Sequence, residues 1–491
     1  MGDTEELQRA LAALLDAGPV EVHENGQWLA LPGLGFEVRS QGSSTIIHLW
    51  SAERTLVRRI LRVAEKSAGH VLLEVQRFGR TRPDTLEFRC AERERSEGRL
   101  TRERFRRRFR QLLTQQFPDE QIDSLSTASD LEHSLSGCFT RGLLHRGQQA
   151  WAVIGVSTAE DAATIDAILT YGLLWLDRAR ERARGRMLLG LRVFLPEGSS
   201  RTTAHRLSAL EPSTRIELYE LNQTLGRARP IDPRDIGNLA TWLTPRRELE
   251  HSLALAGPAV EKVRALAPGA IGVGVPPGTR DVALRFRGLE LARWHNGRVF
   301  FGLGDDRRQL TERNWSDLEQ LVRQLETYRH PLASETCHAL YRSQAERWLE
   351  AMVQADPARI DPRLDPAHIY SQVPAFAAGD RGVIDLLGVT RDGRLAVMEL
   401  KAAEDIHLTL QAVDYWLRVR WHHERDDFHR YGYFTGIELQ QKPPLLYLVA
   451  PGLRFHPASD ILLRYLSRHV EVLRVGLNEN WRRGLRVVLR Q

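Results

Sequence analysis

The chain has 491 residues, 27% of them charged, with a formal net charge of +6 and a pI near 9.4. That balance suits a polyanionic partner without requiring one, and the length allows two to four domains with ordinary cores. No run of 18 apolar residues occurs, the start Met1-Gly-Asp-Thr-Glu-Glu lacks the basic and apolar parts of a signal peptide, and Cys90, Cys138 and Cys337 lie far apart. Membrane spans, a disulfide framework and a thiolate zinc site are therefore not expected, and a cytoplasmic protein is. Lys and Arg total 69, yet the only lysines are Lys66, Lys262, Lys401 and Lys442. Since Arg serves wherever plain positive charge suffices, Lys401 is hard to read as a routine surface cation, because Lys offers a compact ammonium whose pKa can shift.

Residues 1–95 read as a β-rich domain. A short amphipathic helix over 4–16 (Leu7, Leu11, Leu14, Leu15) precedes strands at 27–31, 44–50, 70–75 and 86–89, with a helix at 54–65. No chemical signature appears there. From 100 to 116, Arg102, Arg104, Arg106, Arg107, Arg108 and Arg110 interleave with Phe105 and Phe109. This is either a phosphate-contacting surface or an amphipathic helix whose Phe105, Phe109, Leu112 and Leu113 face a core while its arginines are solvated, and both can hold at once.

Residues 96–230 carry an internal echo of the C-terminal part. Ala152-Val-Ile-Gly-Val-Ser-Thr-Ala-Glu-Asp161 lies without gaps on Ala396-Val-Met-Glu-Leu-Lys-Ala-Ala-Glu-Asp405 at an offset of 244, which also puts Tyr171 on Tyr415 and Leu143 on Leu387. Segment 190–196 resembles 445–451, and 216–221 resembles 470–475. We read this as an internal duplication. At the positions of Asp385, Glu399, Lys401 and Gln411 the first copy has Arg141, Gly155, Ser157 and Ala167, so the apolar frame agrees and the charges do not.

Residues 231–330 read as a β-rich connecting domain, with helices at 247–255 and 315–328 and strands at 284–287 and 297–302. Its glycine-rich stretch 269–278 has neither a P-loop Lys nor a helix start after it and reads as a turn-rich linker.

The last domain, 331–491, opens with a helix over 334–355 that Asp356-Pro357 ends. Gly382-Val-Ile-Asp385-Leu-Leu-Gly-Val and Arg394-Leu-Ala-Val-Met-Glu399-Leu-Lys401 read as two strands joined by the turn Thr390-Arg-Asp-Gly393. Alternation puts Glu399 and Lys401 on one face of a buried strand, with Asp385 on the neighbouring strand, 14 residues before Glu399. Charges so placed need pairing or a ligand, and a metal ion suits them. A helix over 405–423 follows, with Gln411 and Tyr415 one turn apart, and then strand, helix and strand at 445–450, 458–469 and 470–475.

In this order, Glu346, Asp385, Glu399-Leu-Lys401 and Gln411-x-x-x-Tyr415 resemble the PD-(D/E)xK nucleases, most closely the RecB and NucS-type branches, although Ile384 stands where the family's Pro is common. The resemblance covers about 333–478 and implies a restriction-endonuclease-like α/β domain, a central mixed sheet flanked by helices. It implies a Mg²⁺- or Mn²⁺-dependent nuclease acting on nucleic acid, DNA before RNA, with Asp385, Glu399, the Leu400 carbonyl and Glu346 as metal ligands. Lys401 would orient or deprotonate water and stabilise charge, while Gln411 and Tyr415 orient the strand. With the first copy inert, the chain is a pseudo-dimer with one active site, which nicks unless it forms a homodimer. The alternatives are a non-catalytic nucleic-acid-binding scaffold or a ligand-activated defence nuclease.

Other residues invite a role. His407, His422 and His423 at helix ends read first as solvated, the tract 422–429 as a substrate contact, and Trp416, Trp421 and Trp481 as base-stacking candidates, with packing the default for at least two. Arg141 could bind phosphate.

Overall fold

The structure is a computed structural model. It describes all residues except 1, 18–19, 26, 30–33, 42–43, 51–54, 68–69, 77–82, 91, 131, 184, 223–225, 235–240, 244, 277–278, 305, 375 and 378–382. The protein is mixed α/β, and its contacts group it into two units. One comprises residues 1–96, 246–353 and 482–484, the other 97–245, 354–481 and 485–491. Residues 331–353, including Glu346, thus group with the first unit. Among the described residues, no helix is long and apolar enough to cross a membrane.

In the first unit, the helix Gly2–Ala17 lays Leu7, Leu11 and Leu14 on a seven-stranded sheet. The stretch expected as a helix at 54–65 is the strand Thr55–Ser67, paired on one side with Ser44–Trp50 and on the other with His70–Gln76. Pairing on both edges overrides local periodicity, and two register shifts in the second pairing absorb the mismatch. Arg58 is buried in this strand, where Glu24 accepts from it twice, at 2.6 and 3.2 Å. A second, five-stranded sheet packs on the helices Arg246–Arg264 and Trp315–Tyr328. The former runs past its expected end through Pro258.

The single helix expected over 334–355 is two, Ala339–Arg342 and Ala345–Ala355, broken where Gln344 takes a φ of +45°. The break frees the carbonyls of Leu340 and Ser343, and Arg329 takes them up together with two from the Phe286 hairpin. Fully buried, its guanidinium donates to the carbonyls of Phe286, Arg287, Leu340 and Ser343 at 2.6–3.2 Å and lies 4.7 Å over the Trp348 ring.

The second unit holds two six-stranded sheets of the same plan. The first runs Arg227–Ile231, Ile216–Asn222, Met187–Pro196, Gln149–Val156, Phe139–Arg146, Gln121–Ser126. The second runs Val487–Arg490, Val472–Leu477, Leu445–Pro451, Leu395–Leu400, Val383–Val389, Tyr370–Pro374. In each, the central three strands are parallel and the outer pairings antiparallel. The helices Ile168–Arg182 and Leu408–His423 cover one face of their respective sheets, and their apolar residues merge in one core. On the other face of the first sheet, the Arg-rich helix Glu92–Gln116 buries Phe105, Phe109, Leu112 and Leu113. Arg104, Arg107, Arg108 and Arg110 are exposed, whereas Arg102 pairs with Glu160 and Arg106 with Glu103.

Candidate active site

The hairpin at the centre of the second sheet forms as its residues dictate. Leu395–Leu400 is buried throughout, and Gly393 closes the turn at φ +87°, where a Cβ would stand 2.0 Å from the Glu438 carbonyl oxygen. Leu386 pairs with Met398, so one step further Asp385 faces Glu399 across the strands. Both point to the side covered by the Gln411 helix, as do Val397 and Leu387. Glu399 is 1% exposed, and its Oε1 lies 3.6 Å from Lys401 Nζ. Lys401 Nζ also lies 3.4 Å from Asp405 Oδ2, and the Leu400 N–H donates to Asp385 Oδ2 at 3.1 Å. Asp385, Glu399, Leu400 and Lys401 are thus brought together.

Gln411 and Tyr415 join them. Gln411 Nε2 donates to the Tyr415 hydroxyl at 3.4 Å. Burial, followed by the negative charges of Glu399 and Asp385, pushes the Tyr415 phenol well up, so it stays neutral and can donate a hydrogen bond. Asp405, to which the sequence reading gave no role, accepts from the His407 N–H at 2.8 Å and holds Lys401 from the other side. Asp161, which the gapless alignment sets on Asp405, accepts from the Thr164 N–H at 2.7 Å. Glu346 is exposed at the start of Ala345–Ala355, in the other unit.

Four of the remaining candidates are packed inside. His422 and His423 are buried, not solvated: Asp427 pairs with the first at 2.8 Å, and the Gln440 carbonyl bonds the second at 2.8 Å. Trp416 and Trp481 are buried as well, so neither is open to a base, while Arg425 covers Trp421 at 3.8 Å.

The first sheet refines the comparison between the two halves. There Arg141 pairs with Ile154, not Gly155. A Cβ on Gly155 would meet the Phe109 ring at 2.9 Å, on the face opposite the Ile168–Arg182 helix, whereas Ile154 lies in the shared core. Strand parity therefore sets Ile154 against Glu399 and Val156 against Lys401, one residue off the gapless offset. The cause is the turn. Arg146 pairs with Gln149 across two residues, whereas the Thr390 N–H donates to the Arg394 carbonyl across three. Apolar side chains thus stand where the second sheet has Glu and Lys. Arg141, at the place of Asp385, gives its guanidinium to the carbonyls of Ala128, Ser136 and Phe139, and burial pushes it down to about 10. Three of its five N–H donors thus go to loop carbonyls, and the side chain is buried.

No protein-family model matches the chain, and no curated protein matches it.

The two halves of this unit meet at a buried ion pair that the sequence reading missed. Arg206 donates twice to Asp414, at 2.9 and 2.6 Å, and once to the Asp166 carbonyl at 2.6 Å. Asp414→Leu alone strands the guanidinium and is expected to cost about 3–5 kcal/mol, whereas adding Arg206→Met recovers most of that loss. Denaturant unfolding of the two single variants and the double variant measures the coupling.

His205 lies beside this pair. Burial pushes its imidazole down to about 4, with Asp414 opposing and Arg418 and Arg206 assisting. The unfolded imidazole binds its proton first, so the stability contributed by the neutral form is complete above about pH 6.5 and is lost as pH falls toward 4. Unfolding at pH 7 and pH 4.5 is expected to show a loss of about 2 kcal/mol that His205→Gln reduces.

Among the described residues, one group of three acidic or imidazole ligands comes within metal-binding reach of one another: Asp130, Glu132 and His133. His133 Nδ1 is already bonded to Asp130 at 2.9 Å, and Glu132 is exposed.

Proposed function

We propose that the chain is a metal-dependent nuclease of the PD-(D/E)xK kind, internally duplicated, with one active centre at Asp385, Glu399 and Lys401. The observation that carries this reading is the pairing of two carboxylates across adjacent buried strands, with Lys401 Nζ 3.6 Å from Glu399. The identical strand plan of the two sheets supports the duplication, and the restriction-endonuclease-like fold is part of the same reading.

The donor set fits Mg²⁺ or Mn²⁺: hard oxygens from Asp385 and Glu399, and the Leu400 carbonyl by family resemblance. When bound, such an ion supplies Lewis acidity toward water and the scissile phosphate. Lys401, set between Glu399 and Asp405, presents its ammonium to the attacking water and to the growing phosphate charge. The neutral Tyr415 phenol and the Gln411 amide position the strand by hydrogen bonding. Glu346 has a family role in holding metal or water, which a Glu346→Gln variant tests.

DNA is the favoured substrate. Supercoiled plasmid incubated with Mg²⁺ should be converted to nicked circles, and Glu399→Ala or Lys401→Ala should stop the conversion. Cleavage that persists in both variants refutes the assignment.

A further inference from the structure

Beside the carboxylate pair lies an open cleft of about 380 Å³, formed by both halves of the second unit. Gln411 and Tyr415 line it, and Tyr415 lies within reach of the charges of Glu399 and Asp385, so it belongs to both cleft and carboxylate site. Two cations line the cleft, Arg206 and Arg418, and two anions, Asp166 and Asp414. Burial holds His407 below the usual imidazole range and thus neutral. The lining is therefore close to zero net charge, which disfavours a free phosphate and suits a neutral polar ligand. Ala163 and Ala167 offer apolar surface, while Thr202 adds a hydroxyl to the donors and acceptors of Gln411 and Tyr415. Flat apolar faces with hydrogen-bonding edges are the chemistry of a nucleobase.

We propose that this cleft receives one unpaired nucleobase of the substrate strand, next to the phosphodiester held at Asp385 and Glu399. The proposal rests on the nuclease reading. A paired base is stacked and its edge is occupied, so the cleft selects single-stranded or locally opened nucleic acid. It also gives the half without catalytic charges a role, since Ala163, Thr170 and Thr202 come from that half.

The test uses the full-length Glu399→Gln protein, alone and with Thr202→Trp or Ala163→Trp added. Ala163 is exposed and Thr202 half-buried, so an indole at either place fills the cleft without entering the core. The probes are a fluorescein-labelled short single-stranded DNA and its fully paired duplex, read by anisotropy, with melting curves to verify folding. The single strand should bind about tenfold more weakly to either tryptophan variant, the scale of one stacked base, while duplex affinity changes less than about twofold. Unchanged single-strand affinity in both folded variants overturns the proposal, and Glu399-dependent cleavage by the wild type then leaves the nuclease reading standing. If the wild type cleaves nothing but the tryptophans still weaken single-strand binding, the cleft stands and the nuclease reading falls.

Discussion

Glu399→Gln is expected to reduce cleavage at least about a thousandfold, about 4 kcal/mol of transition-state stabilisation, while leaving the melting temperature unchanged or raised. The two effects separate because of how the site is built. Glu399 is almost wholly buried beside Asp385 and Lys401, so its charge is held against desolvation. Gln keeps the shape and removes the charge. Lys401 retains Asp405 at 3.4 Å, so the substitution leaves no stranded cation. Lys401→Ala should fall by about two to four orders of magnitude, and Lys401→Arg should not rescue it, since a planar guanidinium cannot take the place of a compact ammonium. Single-turnover cleavage and thermal denaturation run on the same preparations check both halves; activity and stability falling together would mark Glu399 as structural.

Arg329→Met is expected to destabilise the first unit by about 3–5 kcal/mol without reaching the chemistry of the site. Its guanidinium serves the carbonyls of Phe286, Arg287, Leu340 and Ser343, the last two freed where the chain breaks at Gln344. Each carbonyl left buried without a donor costs about 1–3 kcal/mol before relaxation, and methionine replaces only the apolar contact with Trp348. Lysine should fail nearly as badly, because its three donors at one nitrogen cannot span carbonyls from two separate segments. Calorimetry of the wild type, Arg329→Met and Arg329→Lys measures this, and a loss under about 1 kcal/mol would show that water or rearrangement satisfies the carbonyls instead.

The central hairpin was legible in the sequence because its residues carry local information: an apolar run, a Gly-containing turn, and alternation that puts Asp385 and Glu399 on one face. Gln411 and Tyr415 were legible for the same reason, being one helical turn apart. What escaped depends on partners remote in sequence. Arg206 and Asp414 are 208 residues apart, and nothing near either announces the other. Thr55–Ser67 has helical spacing but two strand neighbours, and the neighbours decide. The one-residue slip that puts Ile154 rather than Gly155 at the place equivalent to Glu399 comes from a turn one residue longer, which a gapless alignment cannot register. His422 and His423 looked like a polar helix end and are buried against Asp427 and the Gln440 carbonyl, contacts made only after the chain turns back.

The claim that one carboxylate pair forms the active centre is tested most directly by titrating Mn²⁺ into the protein calorimetrically. Saturable binding to the wild type should be lost in Asp385→Asn and in Glu399→Gln and kept in Asp130→Asn. Binding that survives both of the first two substitutions, or that vanishes with Asp130→Asn instead, would contradict it.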